Sequence, residues 1–295
     1  MKKSSFFLIF LLLLSGGILA FHFLKPLSEP KVNPIPKSLP PPVAKIPPPL
    51  SPPREPSNPP SNLPPDWKGE PPARIAIIID DLGFNAESTQ LVLSLKIPLT
   101  VSVLPFYPYS KKSVEWAHRA GKEVLLHIPM EPVSNPAEAR PGKGVLIYGS
   151  SRAEIERQVG EDLTELPSVS GASSHMGSLF TTDSEGMRVV FRILKKRGLF
   201  FVDNLTTNKS VTKKIANEEG LKYFLRNVFI DDDLKRGSIL QQLEKAEKIA
   251  REKGLAIAVG HPHPETISAL RDWIPEAQAG GITFVRISEL LNKEK

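Results

Sequence analysis

Residues 75–84 read IAIIIDDLGF: five consecutive apolar residues, then Asp80 and Asp81, then a glycine two positions on. A run that is apolar at every position, instead of every second one, predicts a strand covered on both faces, as in parallel sheets flanked by helices. Two carboxylates at the exit of such a strand are costly unless they are paired, hydrogen-bonded or metal-bound. The same kind of strand block recurs at 99–104 (LTVSVL), 123–128 (EVLLHI), 199–202 (LFFV), 224–230 (FLRNVFI), 255–260 (LAIAVG) and 282–287 (ITFVRI), with a weaker one at 169–174 (VSGASS). Helix-like blocks lie between them at 86–95, 110–121, 151–166, 184–198, 210–220 and 237–254, and the last two end at a glycine, a common helix stop. This alternation predicts parallel β/α units. Seven or eight units in about 220 residues point to an α/β fold of the (β/α) barrel kind, slightly smaller than the usual ~250 residues. A doubly wound open sheet is the competing architecture.

Polar residues fall where such folds place their chemistry. Asp80 and Asp81 follow the first strand block, His127 ends the third, His175 follows VSGASS, Asp203 follows LFFV, and His261 and His263 follow LAIAVG. In barrels and doubly wound sheets, ligands bind at the carboxyl ends of the strands. One aspartate with two histidines suits a catalytic divalent metal, Zn2+ being the expected ion, with a further position open for water. A second carboxylate could act as general base and another histidine as general acid. Asp80-Asp81 as a mere helix cap is the plainer alternative. The acidic run in VFIDDD (228–233) reads as a strand end in solvent or a cap for the next helix. His118 reads as an ordinary helix residue. GxSxG, HExxH, GxxxxGK[ST] and GxGxxG are all absent, and so is cysteine, which excludes a thiol nucleophile and a disulfide framework.

The first 72 residues are of another kind. Ser4–Leu24 is a 21-residue stretch without acid, lysine or arginine behind Lys2 and Lys3. About 20 apolar residues span a bilayer, so this length favours an uncleaved membrane anchor over a cleaved signal. The lysines place the N-terminus in the cytoplasm and the remainder outside it, in the cell envelope. Residues 25–72 hold 19 of the 30 prolines, which predicts an extended spacer, not a packed domain. Residues 73–295 are then the catalytic domain. The net charge of +6 divides evenly, +2 on each of 1–24, 25–72 and 73–295, leaving the folded part without the basic stripe that nucleic-acid binding requires.

Six blocks in order, IIIDDLGFN, LPF, GKEVLLHIPMEP, SHMGSLFT, RGLFFVDN and AVGHPHPET, resemble the divergent polysaccharide deacetylases, a NodB-related branch of the carbohydrate esterases. The resemblance runs from Ala73 to Leu291. It implies a distorted (β/α) barrel of about seven parallel strands, a divalent metal, and removal of N-acetyl groups from a glycan. It further implies Asp80 as base, Asp81 as metal ligand and His261 as acid. Relatives carry two metal-binding histidines spaced HxxxH, whereas here Glu131 stands four residues after His127. His175, in the HMGS block, is the substitute, so the implied ligand set is Asp81, His127 and His175. Ser173 and Ser174 stand where the family has asparagines, and His263 where it has tyrosine. Glu131, Met176, Asp203, His263 and Glu265 are the candidates for contacting substrate or supporting the site. The implied partners are a glycan substrate and, through the N-terminal segment, the membrane. Two functions follow: a metal-dependent hydrolase of envelope polysaccharide, or a non-catalytic glycan-binding scaffold on the same fold.

Overall fold

In the computed structural model, residues 73–134 and 142–293 are described; the expected anchor and the proline-rich spacer lie outside them. No helix among the described residues is long and apolar enough to cross a membrane. The chain runs β1 (Arg74–Leu82), α1 (Ala86–Leu93), β2 (Thr100–Val103), α2 (Ser110–Arg119), β3 (Glu123–Met130), α3 (Arg152–Glu165), β4 (Gly171–Met176), α4 (Ser184–Lys196), β5 (Phe200–Asp203), α5 (Thr212–Glu219), β6 (Tyr223–Leu225), β7 (Val228–Phe229), α6 (Arg236–Lys253), β8 (Leu255–Gly260), α7 (Pro264–Ala279) and β9 (Thr283–Phe284). The strands lie in the order β6-β5-β4-β3-β2-β1-β8-β7, with β9 beside β1. Every pairing is parallel. This is the distorted (β/α) barrel, a curled sheet of eight parallel strands that ends at β6 and β7.

Alternation along the strands separates two cores. Ile75, Ile77 and Ile79 of β1, Val124, Leu126 and Ile128 of β3, and Ala256 and Ala258 of β8 pack outward under the helices. Ala76, Ile78, Leu125, Phe200, Val202, Ile257 and Val259 fill the barrel interior. Both faces of each strand are thus apolar, which is why the strands read as continuous hydrophobic runs. Helix ends follow local chemistry. Ser151 and Glu154 form a reciprocal capping box that starts α3. Gly220 and Gly254 stop α5 and α6 in the left-handed conformation that glycine adopts without steric cost.

Three expectations change. The block 224–230 is not one strand. β6 pairs with β5 and β7 with β8, on opposite edges of the sheet, and Arg226–Asn227 carries the chain between them. Arg226 N donates to Asp203 O on one side and Asn227 N to Ile257 O on the other, so the backbone changes partner at this seam. The block 282–287 shortens to the two residues of β9 before a 3-10 turn at Ile287–Lys293. An unexpected helix, α7, spans 264–279 despite Pro275 within it. A proline there removes one backbone hydrogen bond, and apolar burial of Ile267, Leu270, Trp273 and Ile274 offsets that loss.

Candidate functional site

Continuing the interior alternation past the last apolar residue builds the site. Ala76 and Ile78 lead to Asp80, Leu125 to His127, Phe200 and Val202 to Asn204, and Ile257 and Val259 to His261. Ser173 and His175 follow Gly171 at the same parity on β4. Side chains two apart share a face, so the barrel's interior column ends in a ring of polar groups.

Asp81 has the wrong parity, and a local backbone change corrects it. The β1–β2 register shifts between Ile79 and Leu82. Asp81 adopts φ +60°, a left-handed conformation that aspartate tolerates better than most residues. A bulge of this kind re-aims a side chain, and it turns two consecutive carboxylates into one mouth. Phe106, Met176 and Leu205 also have positive φ, beyond β2, at the last residue of β4 and beyond β5. All four non-glycine residues with positive φ among the described residues therefore lie at this end of the barrel. Strained backbone of this sort clusters at functional sites.

Asp81 Oδ1 lies 2.9 Å from His175 Nδ1 and 3.2 Å from His127 Nε2. These contacts lack hydrogen-bond geometry, and Oδ1 is buried without a partner. Burial opposes the charge on Asp81, yet the two imidazoles hold its carboxyl well below the usual carboxylate range. On the far side of His127, Nδ1 lies 2.7 Å from Ser173 Oγ, itself 2.7 Å from Ser102 Oγ. With Nδ1–H donating to Ser173, Nε2 presents its lone pair to the mouth. A ligand histidine is usually oriented in this way through its other nitrogen. Ligand atoms about 2.1 Å from one tetrahedral ion lie about 3.4 Å apart, close to these separations. The donor set and the orphaned Oδ1 both fit a divalent cation.

Asp80 is fully buried beside this group. Its Oδ2 accepts from Asn204 Nδ2 at 2.6 Å and lies 3.7 Å from His127 Nε2, while Oδ1 has no partner. Across the mouth, His261 Nε2 lies 3.9 Å from Asp81 Oδ2. His261 Nδ1 lies 3.0 Å from Asp231 Oδ1. Asp231 Oδ2 accepts from His261 N at 2.6 Å and Thr266 Oγ1 at 2.8 Å. Burial disfavours the imidazolium, but Asp231 and the charges of Asp81 and Asp80 prevail and raise His261 to about 9. One possible ligand atom each from Asp231, His261 and His263 also lies within 4.8 Å of the other two. Both Asp231 oxygens are already engaged, Oδ1 by the His261 ring and Oδ2 by His261 N and Thr266 Oγ1, so this second group forms a hydrogen-bonded acid–histidine pair.

Not every expected residue joins the mouth. Asp203 has outward parity. Its Oδ2 accepts from Ser210 Oγ, Thr212 Oγ1 and Tyr223 OH, and its Oδ1 from Leu205 N, so it braces the segment after β5. Glu131 accepts from Tyr148 N at 2.7 Å and steadies the segment after β3. His263 and Glu265 are exposed at the start of α7, and half-buried Met176 ends β4. The acidic run after β7 needs correcting. Asp231 is buried and holds His261, and Asp233 accepts from Lys235 N and Ser238 Oγ ahead of α6, whose N-cap Lys235 makes no side-chain capping bond. Asn204 and Tyr107 were not anticipated. The Tyr107 phenol is pushed up by burial and then by the charge of Asp81, and its ring lies 4.1 Å from that of Phe84, just beyond β1. Parity with Val202 was the available signal for Asn204; Tyr107 had none.

The family model for divergent polysaccharide deacetylases matches residues 77–291, a span that includes every residue of this mouth. The chain belongs to that family. It is 35% identical to the uncharacterized protein YibQ of Escherichia coli, over 75% of this chain and 68% of that one. An uncharacterized protein of Haemophilus influenzae is 33% identical, over 68% and 70% of the respective chains. The crystal structure of an uncharacterized protein from Agrobacterium tumefaciens superposes with a TM-score of 0.70 at 28% identity, covering 76% of this chain and 91% of that one.

Proposed function

We propose that this divergent polysaccharide deacetylase is a metal-dependent hydrolase that removes N-acetyl groups from a polysaccharide of the cell envelope. The observation that carries the reading is the convergence of Asp81, His127 and His175 on a buried, unpartnered carboxylate oxygen. These three residues would hold the ion, with zinc expected. When bound, such an ion lowers the pKa of a water and polarises the acyl oxygen.

The chain's own groups divide the proton work. Asp80 Oδ1 takes the proton of the attacking water, because Oδ2 is engaged by Asn204. His261, whose Nδ1 faces the Asp231 carboxylate, gives its Nε2 proton to the departing amine. Asp231 keeps that ring oriented through Nδ1. The six large apolar side chains that are exposed among the described residues, Phe84, Val133, Ile147, Tyr148, Leu205 and Leu234, all sit on segments leaving strand carboxyl ends. An apolar rim around a polar mouth suits the C–H faces of sugar rings. The uncharged run Ser4–Leu24 and the proline-rich 25–72 support a domain tethered to the inner membrane and working outside the cytoplasm.

Metal content and acetate release test this together. Near-stoichiometric zinc in the wild type, lost in Asp81→Ala and His175→Ala, with acetate released from acetylated amino-sugar oligomers, is the expected result. A protein that stays empty in added zinc, or releases no acetate across a broad glycan panel, would overturn it.

A further inference from the structure

We infer that Asn204 is the positioning residue for the carboxylate of Asp80, an inference that rests on the proposed hydrolase reading for its consequence but not for its geometry. Asn204 is buried, and its Nδ2 sits 2.6 Å from Asp80 Oδ2 and 2.9 Å from the Ser174 carbonyl. Two acceptors at one atom require the amide nitrogen there, because the flipped amide would set oxygen against oxygen. Among the described residues, Asn204 is the one donor to the Asp80 side chain. The backbone that carries this amide is held at both its groups, while the amide oxygen Oδ1 is buried without a partner. Asn204 N donates to Ser174 Oγ at 3.2 Å, and Arg226 Nε donates to Asn204 O at 2.8 Å. Arg226 in turn lies over the Phe229 ring, 4.5 Å from its centroid.

Asn204 therefore fixes which oxygen of Asp80 is free. With Oδ2 tied, Oδ1 remains buried and without a partner, and a carboxylate that has lost its single donor can rotate either oxygen into the mouth. A buried carboxylate also loses much of its stabilisation when its donor is removed. Asn204 bonds Asp80 directly, and its other partner in the mouth is Ser174, the residue before His175.

Two substitutions test this in the whole chain: Asn204→Ala, which opens a cavity, and Asn204→Leu, which keeps the shape without the donor. Crystal structures of both should show Asp80 rotated or in two conformers. On acetylated amino-sugar oligomers, kcat should fall about 10²-fold, as for a misplacement of about 1 Å, with KM and zinc content unchanged. Asp80 unmoved in both variants would overturn the inference. So would wild-type kcat in Asn204→Leu, which would assign Asn204 to packing, or loss of zinc along with kcat, which would assign it to the ligand cradle. A wild-type protein silent on these oligomers would count against the proposed function, while the position of Asp80 in the variants would still decide the role of Asn204.

Discussion

Asp231→Asn should strip His261 of its charge at neutral pH. Asp231 contacts His261 through both oxygens, at 3.0 Å to Nδ1 and 2.6 Å to the backbone N. Burial alone would push the imidazole down, and the aspartates bring it to about 9 against an ordinary 6.5. That difference corresponds to about 3 kcal/mol favouring the protonated ring. Asp231 supplies the largest favourable part, with Asp81 and Asp80 behind it. A group with a raised folded-state pKa contributes stability that is complete below its unfolded pKa and lost as pH rises through its folded one. The metal-free wild type should therefore lose up to about 3 kcal/mol between about pH 6.5 and 9 from this group, and Asp231→Asn should lose much less. The assay is an NMR titration of the His261 ring in metal-free protein, with urea unfolding at several pH values. The reasoning is refuted if His261 titrates at the same pH in both proteins, or below its ordinary value in the wild type.

Three further outcomes follow from named contacts. Ser173→Ala removes the partner of His127 Nδ1, so zinc affinity should fall about 10- to 100-fold in a competition titration, while the fold persists. Asp162 is buried and raised to about 7, first by burial, with Gln158 as its hydrogen-bonding partner. The protonated acid is thus the form the fold prefers, and stability should drop by about 4 kcal/mol as pH rises from about 4 to 8; Asp162→Asn should flatten that slope in denaturant titrations. In Gly171→Ala the new Cβ would meet the Phe200 ring at 2.7 Å and the Phe200 carbonyl at 2.8 Å. Because one of these neighbours is backbone, thermal unfolding should show a loss at or beyond the usual 1–3 kcal/mol of overpacking.

The barrel was legible in the chain because its strands are buried on both faces. IAIII, EVLLHI and LAIAVG are apolar at nearly every position, and their carboxyl ends named Asp80, Asp81, His127 and His261 as neighbours before any coordinate was known. Alternation would also have ranked Asn204 above Asp203, since Val202 faces the interior and Phe201 the helices. The limits of local reading show at 224–230, one apolar run that the fold divides between two sheet edges. Hydrophobicity marks a strand but does not name its partner.

Composition and periodicity determined the parallel β/α order and the end of the barrel where chemistry gathers. Tertiary structure alone decided which of those polar groups meet. Asn204 and Asp80 are 124 residues apart, and Asp231 and His261 are 30 apart. Asp81 faces the mouth only because the bulge in β1 and its positive φ override the alternation. Local sequence governs which face a residue occupies through the two-residue repeat of a strand. The pairing of one loop with another depends on how the strands close around the barrel, and that is a property of the whole chain.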